Sequence, residues 1–289
     1  HVFAALATTF KIAQTDTFRQ LQASILRNCT ALTQRLQERG FRIPYGGTNT
    51  HLANLDCKTI IGPDGTPLSG DMAARILDLA GLVLNRNTIP GDKTALNASG
   101  IRFGTPWMTQ RGLDEGDMHD VANIMADILQ ATVPYSVETR QGPAQRAKID
   151  FGVLEDAKLR VRALAHKAGC DIETGQHGYP HFFYIDHRPS RSGDWACYDL
   201  HGRNVRTFVN YVFSSDVEAL QPGQSQPTRL NTPKGSMDGF LTCVAAQHFR
   251  FSLPAEHVGL GITWLRDLSD GYVQFDADPT RRLPGPVLV

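Results

Sequence analysis

The run Ser99-Gly100-Ile101-Arg102-Phe103-Gly104-Thr105-Pro106 sets an arginine at the end of a short apolar segment, with a Gly-Thr-Pro turn behind it. A planar guanidinium held there can grip a carboxylate through two parallel hydrogen bonds. That grip suits an enzyme that must hold a small amino acid. The plainer reading of Arg102 is an exposed arginine closing a strand. Ser99 is read as the residue that caps or positions Arg102. Asp238 is the second candidate, a carboxylate that in an apolar, hydrogen-bonded pocket would exchange a proton with an amine; as a turn residue after Lys234-Gly235 it would only close a hairpin. Asn87 brings both a donor and an acceptor, or else is a turn residue before Pro90. His51 reads as a hydrogen-bonded structural histidine rather than a base, and Trp107 as core. His177, His181 and His187 with Asp186 match no zinc spacing, so no metal is expected.

The elements that would position these residues follow from periodicity. Thr15 or Asp16 caps a long helix whose apolar positions Phe18, Leu21, Ile25, Cys29, Leu32 and Leu36 fall on one face, and Gly40 ends it. Leu52 to Ile61 reads as a strand, followed by a Gly-Pro-Asp-Gly turn. Ser69 caps a helix with Met72, Ala73, Ile76, Leu77 and Ala80 buried. Leu82–Leu84 and Ile101–Phe103 read as short strands, and 114–129 as a helix. These predict an α+β layer. From Val133 the composition shifts toward Pro, Gly and Gln without a helical period, so 133–147 reads as a linker. A second unit, 148–289, opens with a helix over Phe151–Ala168 and continues with strands at 182–185, 195–200, 227–230, 239–244 and 249–253. Helices are expected at 203–213 and 256–268.

The 289 residues suffice for two domains, with 41% hydrophobic and 20% charged residues. A net charge of zero points away from a nucleic-acid groove and from a membrane-surface patch, and no apolar run is long enough to cross a bilayer. The five cysteines are dispersed, which reads as reduced thiols in the cytoplasm. The chain begins at His1 in helical sequence without a cap, with Val2, Ala5 and Leu6 core-like. It is therefore expected to be a fragment of a longer polypeptide.

Three further segments flank the arginine motif: Gly46-Gly47-Thr48-Asn49-Thr50-His51, then Asn85-Arg86-Asn87 with Pro90-Gly91-Asp92, and Thr109-Gln110-Arg111-Gly112. In this order they resemble the C-terminal part of serine hydroxymethyltransferase, over about residues 1–132. That family reads Gly-Gly-Thr-Asp-Asn-His, Asn-Lys-Asn with Pro-x-Asp, Ser-Gly-Ile-Arg-x-Gly-Thr-Pro and Thr-x-Arg-Gly. Asn49-Thr50 stand where it has Asp-Asn, and the loop from Gly91 to Ala98 is shortened. The resemblance implies the small domain of a fold-type I pyridoxal-phosphate enzyme. It also implies serine and glycine as substrates, tetrahydrofolate as carbon acceptor, Arg102 on the substrate carboxylate, Asn87 on the folate ring, and a homodimer. The lysine that binds pyridoxal phosphate would lie upstream, so the fragment alone is expected to be inactive.

The second unit carries Asp199-Leu200-His201-Gly202-Arg203, Ser214-Ser215-Asp216-Val217, Leu220-Gln221-Pro222-Gly223-Gln224 and Asn231-Thr232-Pro233-Lys234-Gly235 before Asp238-Gly239. These resemble the folate-binding domain of the glycine cleavage T-protein, an aminomethyltransferase. The resemblance implies a partial α+β folate-binding domain and places Asp238 on the first member of the family's acidic pair, near the folate nitrogen. Gly239 replaces the second member. The implied whole is a one-carbon transferase fused to a T-protein-like unit; the alternative is a pyridoxal-phosphate enzyme fragment whose second domain is a non-catalytic folate sensor or interaction module.

Overall fold

The computed structural model describes residues 1–139, 142–170, 183–187, 195–275 and 285–289. The chain forms two compact units, 1–145 with 156–173 and 146–155 with 174–289.

Unit 1 opens with α1 (Val2–Ala13) and α2 (Asp16–Glu38). Thr15 caps α2, its hydroxyl accepting from the Phe18 amide at 3.2 Å. The C-terminal half of α2 is buried through Ile25, Cys29, Leu32 and Leu36. The helix stops just before Gly40, as its pattern predicts. By contrast α1 has no buried residue, and Phe3 is 87% exposed. The expectation that Val2, Ala5 and Leu6 lie in a core fails within this chain because nothing in unit 1 covers their face.

Three short strands, β1 (Leu52–Asp56), β2 (Asn85–Asn87) and β3 (Gly100–Gly104), form an antiparallel sheet in the order β1-β3-β2. The predicted strand at Leu82–Leu84 is instead irregular chain leading into β2. Between β1 and β2 lies α3 (Gly70–Leu79), capped by Ser69, with Met72, Ala73, Ile76 and Leu77 inward. After β3 come α4 (Pro106–Gln110) and α5 (Glu115–Ala131). Asp114 and Asp117 close a reciprocal cap on α5, each side chain accepting from the other's amide. Met118, Val121, Met125 and Ile128 then pack with α2 into the core.

The 133–147 stretch is not a featureless linker. It forms β4 (Val133–Thr139) and most of β5 (Gly142–Lys148). Loose composition misled here because the turn-forming residues are local: Gly142 begins β5, and Gln145 ties back to unit 1 by accepting from the Ser69 amide at 2.9 Å. The helix α6 (Phe151–Lys167) contributes residues to both units.

Unit 2 contains β6 (Trp195–His201), α7 (Val205–Val212), β7 (Ser225–Thr232), β8 (Gly235–Ala245), β9 (His248–Pro254), α8 (Val258–Ser269) and β10 (Val273–Gln274). Four strands make an antiparallel sheet in the order β6-β9-β8-β7, and β10 pairs with β5 in parallel. Alternation puts Leu200, Leu241, Phe249 and Phe251 on one face, against Phe208 and Val209 of α7 and Ile262 and Leu265 of α8. The opposite face is exposed and mixed, with Trp195 and Phe240 packed on each other among charged residues. The strand expected at 182–185 does not form over 183–187, which is a turn.

Candidate functional site

The alternation of β3 decides what Arg102 does. Ile101 and Phe103 turn inward, so Arg102 stands on the exposed face of the unit 1 sheet. Its cross-strand partners are Asn54 on β1 and Asn85 on β2. Arg102 lines a cleft of about 750 Å³ with Asn85, His51, Trp107, Leu82 and Val83, floored by Leu32, Met125 and Leu164. The walls are mainly apolar. Among the described residues no carboxylate or other acceptor bonds the Arg102 guanidinium. The buried Oδ1 of Asn54 also has no hydrogen-bond partner. An exposed cation at the lining of an apolar cleft, with no counterion among the described residues, can receive an anion that fits there.

The strand that carries Arg102 is fixed from behind. Gly100 lies close to β2 and to the loop after it: a Cβ there would collide with Ile89 and come within 3.0 Å of the Asn87 carbonyl oxygen. Ser99 does not touch Arg102. Its amide donates to Asp92 Oδ2 at 3.0 Å and its hydroxyl to Asp92 Oδ1, while the Ile89 amide donates to Oδ2 at 3.0 Å. Lys58 lies 3.5 Å from the same carboxylate. Burial pushes the Asp92 carboxyl up, but the hydrogen bonds from Ser99 and Ile89 and the charge of Lys58 outweigh it and hold it at about 2. Asp92 thus pins the loop that delivers β3, and Ser99 positions Arg102 only through the strand. The Pro90-Gly91-Asp92 turn was the sequence signal for this anchor.

Asn87 lies on the same face as Arg102, two register pairs along, opposite Gly100. Its side-chain amide donates to the Thr88 carbonyl at 2.8 Å, and it is not among the residues lining the cleft. His51 is exposed at the cleft mouth, with its carbonyl accepting from the Thr105 amide at 3.1 Å. Trp107 is no core residue: it is 54% exposed, lines the cleft and lies under the Arg111 guanidinium at 5.3 Å. Its place at the first turn of α4, after Pro106, turns it outward.

In unit 2, Asp238 is mid-strand on β8, opposite Arg229 of β7, not in the turn. It is 76% exposed, and Arg229 Nε donates to its Oδ1 at 2.7 Å. That hydrogen bond lowers the carboxyl below its ordinary range. The surroundings are an open depression with Trp195, Thr228 and Phe240, rather than an apolar pocket. Gly239 faces inward, and a Cβ there would collide with Ser252 and come within 2.6 Å of the Phe251 ring. A second acidic side chain has no room at that position. His177 and His181 lie outside the described residues, and His187 is exposed in the 183–187 turn.

No helix among the described residues is long and apolar enough to cross a membrane. The family model of serine hydroxymethyltransferase matches residues 1–125. Among relatives, the chain is 42% identical over 125 residues to serine hydroxymethyltransferase of Bombyx mori, covering 43% of this chain and 26% of that protein. It is 40% identical over 185 residues to the chloroplastic serine hydroxymethyltransferase 3 of Arabidopsis thaliana, covering 62% of this chain and 32% of that protein. It is 37% identical over 148 residues to the cytosolic serine hydroxymethyltransferase of Oryctolagus cuniculus, covering 51% and 29%. The chain spans about a quarter to a third of the length of these relatives. Residues 1–125, which supply the whole sheet beneath the Arg102 cleft, are thus the part of the chain that is similar to serine hydroxymethyltransferase.

Proposed function

We propose that unit 1 is the substrate-carboxylate half of a serine hydroxymethyltransferase, which passes the serine hydroxymethyl carbon to tetrahydrofolate and leaves glycine. The observation that carries this reading is Arg102, a cation without a counterion at an apolar cleft in the family's own sequence. The residues present fit one part of a pyridoxal-phosphate site. They offer the carboxylate clamp, and among the described residues no lysine lines the cleft. When bound, pyridoxal phosphate supplies the electron sink for the α-carbon. This chain's task is to bind and to aim. Arg102 fixes the amino-acid carboxylate, the apolar walls exclude water, and the pinned β3 strand holds the guanidinium still, which keeps the scissile bond in one orientation. Serine cleavage with tetrahydrofolate in the full-length protein tests the reading. Absence of that activity in a protein that binds pyridoxal phosphate sinks it.

For unit 2 we propose a folate-binding unit of T-protein type, supported by the Leu220 to Gln224 segment. A second reading, a non-catalytic folate sensor or interaction module, is favoured by the Arg229–Asp238 pair, which occupies the carboxylate on an open face. A tetrahydrofolate titration of the chain with an Asp238→Ala control separates them. Binding that needs Asp238, together with aminomethyl transfer in the full-length protein, supports the first; binding without transfer supports the second; no binding removes both.

A further inference from the structure

On the open face of the unit 2 sheet three metal-ligand side chains meet, and nothing above uses them. His201 of β6 and His248 of β9 lie directly opposite in register. Their rings stack with centroids 3.9 Å apart. Asp199, two residues before His201 and so on the same face, receives His248 Nε2 at 2.8 Å. One ligand atom from each of the three lies within 4.8 Å of the other two. We propose that Asp199, His201 and His248 form a binding site for a divalent transition ion, with Zn(II) as its natural occupant.

Two imidazoles and one carboxylate are the donor set that zinc and its neighbours take, and three protein ligands leave a further position for water. At zinc bond lengths of about 2.0–2.2 Å, tetrahedral donors sit about 3.3 Å apart. The His248–Asp199 contact therefore opens by only about half an ångström to admit an ion. The ion takes the place of the proton on His248 Nε2, and the ring keeps one proton on Nδ1, so that it binds as neutral imidazole. The His201 ring has no hydrogen-bond partner among the described residues, so its nitrogens are available without breaking another interaction. The donors sit on strands rather than loops. His201 is held on one side by β9 and on the other by Leu288, through mutual backbone bonds of 2.8 and 2.9 Å.

Arg250 completes the arrangement. Its Nε donates to Asp199 Oδ1 at 2.9 Å and its Nη2 to Oδ2 at 3.0 Å. This fork orients the carboxylate and keeps it ionised, the usual service of a group behind a metal ligand. Its positive charge also repels the incoming ion, so the site is expected to be moderate in affinity and selective for ions that imidazole binds well.

Titrating zinc sulfate into the 289-residue chain, followed calorimetrically, tests this. One equivalent should bind, and His201→Ala and His248→Ala should each weaken it on the order of tenfold or more, a loss at least as large as that for outer groups. The double variant should lose that equivalent. Unchanged stoichiometry and affinity in the double variant, or no binding by the parent chain, overturns the assignment. Cobalt(II) gives a second readout: ligand-field bands that vanish in the double variant support it, and a sulfur-to-cobalt charge-transfer band moves the ion to a cysteine and overturns it. Should the variants fail to fold, histidine nitrogen NMR of the parent chain decides. Zinc must shift the ring nitrogens of His201 and His248, and unmoved resonances reject the site.

Discussion

On the sheet of unit 1, Arg102 has two asparagines as cross-strand neighbours and no carboxylate. On the sheet of unit 2, Arg229 faces Asp238 at 2.7 Å and Arg250 faces Asp199 at 2.9 Å. Both sheets are antiparallel, with one face packed on helices, and both put arginines on the other face. The difference lies in the register partner. A guanidinium opposite a carboxylate is neutralised inside the protein, and exposed pairs of that kind add little stability. A guanidinium opposite carboxamides keeps its charge for a ligand. Cross-strand pairing therefore separates a binding arginine from a surface arginine better than exposure does, since all three are exposed.

The sharpest way to break the contrast is to remove the cations one at a time. Arg102→Ala in the full-length protein should weaken serine binding by about 3 kcal/mol, roughly 100-fold, as expected for a lost charge-assisted pair. Arg250→Ala should leave serine affinity unchanged. Equal losses, read from equilibrium binding, would remove the distinction.

Next in size are two close-packed glycines, one in each sheet. Gly100→Ala and Gly239→Ala each force a Cβ into occupied space and should cost about 1–3 kcal/mol, read as lowered urea midpoints. If Gly239→Asp folded normally, the packing account of the missing second acid would be wrong.

Asp92 and Asp199 are both held at about 2, but the Asp92 side chain is 5% exposed and the Asp199 side chain 40%. Asp92→Asn should cost about 1–3 kcal/mol at neutral pH. Because the folded value lies below the ordinary one, the stabilisation by Asp92 is full above about pH 4 and is lost as pH falls toward 2. Parent and variant melting curves should converge over that interval. A constant gap at every pH would show that the carboxylate's charge is irrelevant.

The smallest effect is expected at Asp238. Asp238→Asn should leave the melting temperature unchanged, since the pair with Arg229 is solvent-exposed. A clear drop would mean that the open face of unit 2 is stiffer than its exposure implies.

Much of this was legible from residue order. Strand alternation at Ile101-Arg102-Phe103 already separates the arginine from the core, and the caps at Thr15 and Ser69 fall where hydroxyl residues precede apolar periods. What could not be read was partnership across strands. Nothing near Asp238 in the chain announces Arg229, and nothing near Ser99 announces that its hydroxyl serves Asp92 rather than Arg102. Residue order alone reads Trp107 as core, while the turn of Pro106 into α4 carries it to the cleft. The 133–147 strands escaped because Pro134, Gly142 and Pro143 read as breaks, whereas pairing determines their state.

The exposed helix α1 has a practical consequence. Its twelve residues are at the lower limit at which a helix in water sustains itself without packing. In this chain alone, the amides of Val2–Ala13 should exchange with deuterated solvent within the dead time of mixing, and its phenylalanines should promote self-association as concentration rises. Any protein surface that covers this flank would convert the same amides to slow exchange, giving a direct gauge of assembly at a point remote from the Arg102 cleft.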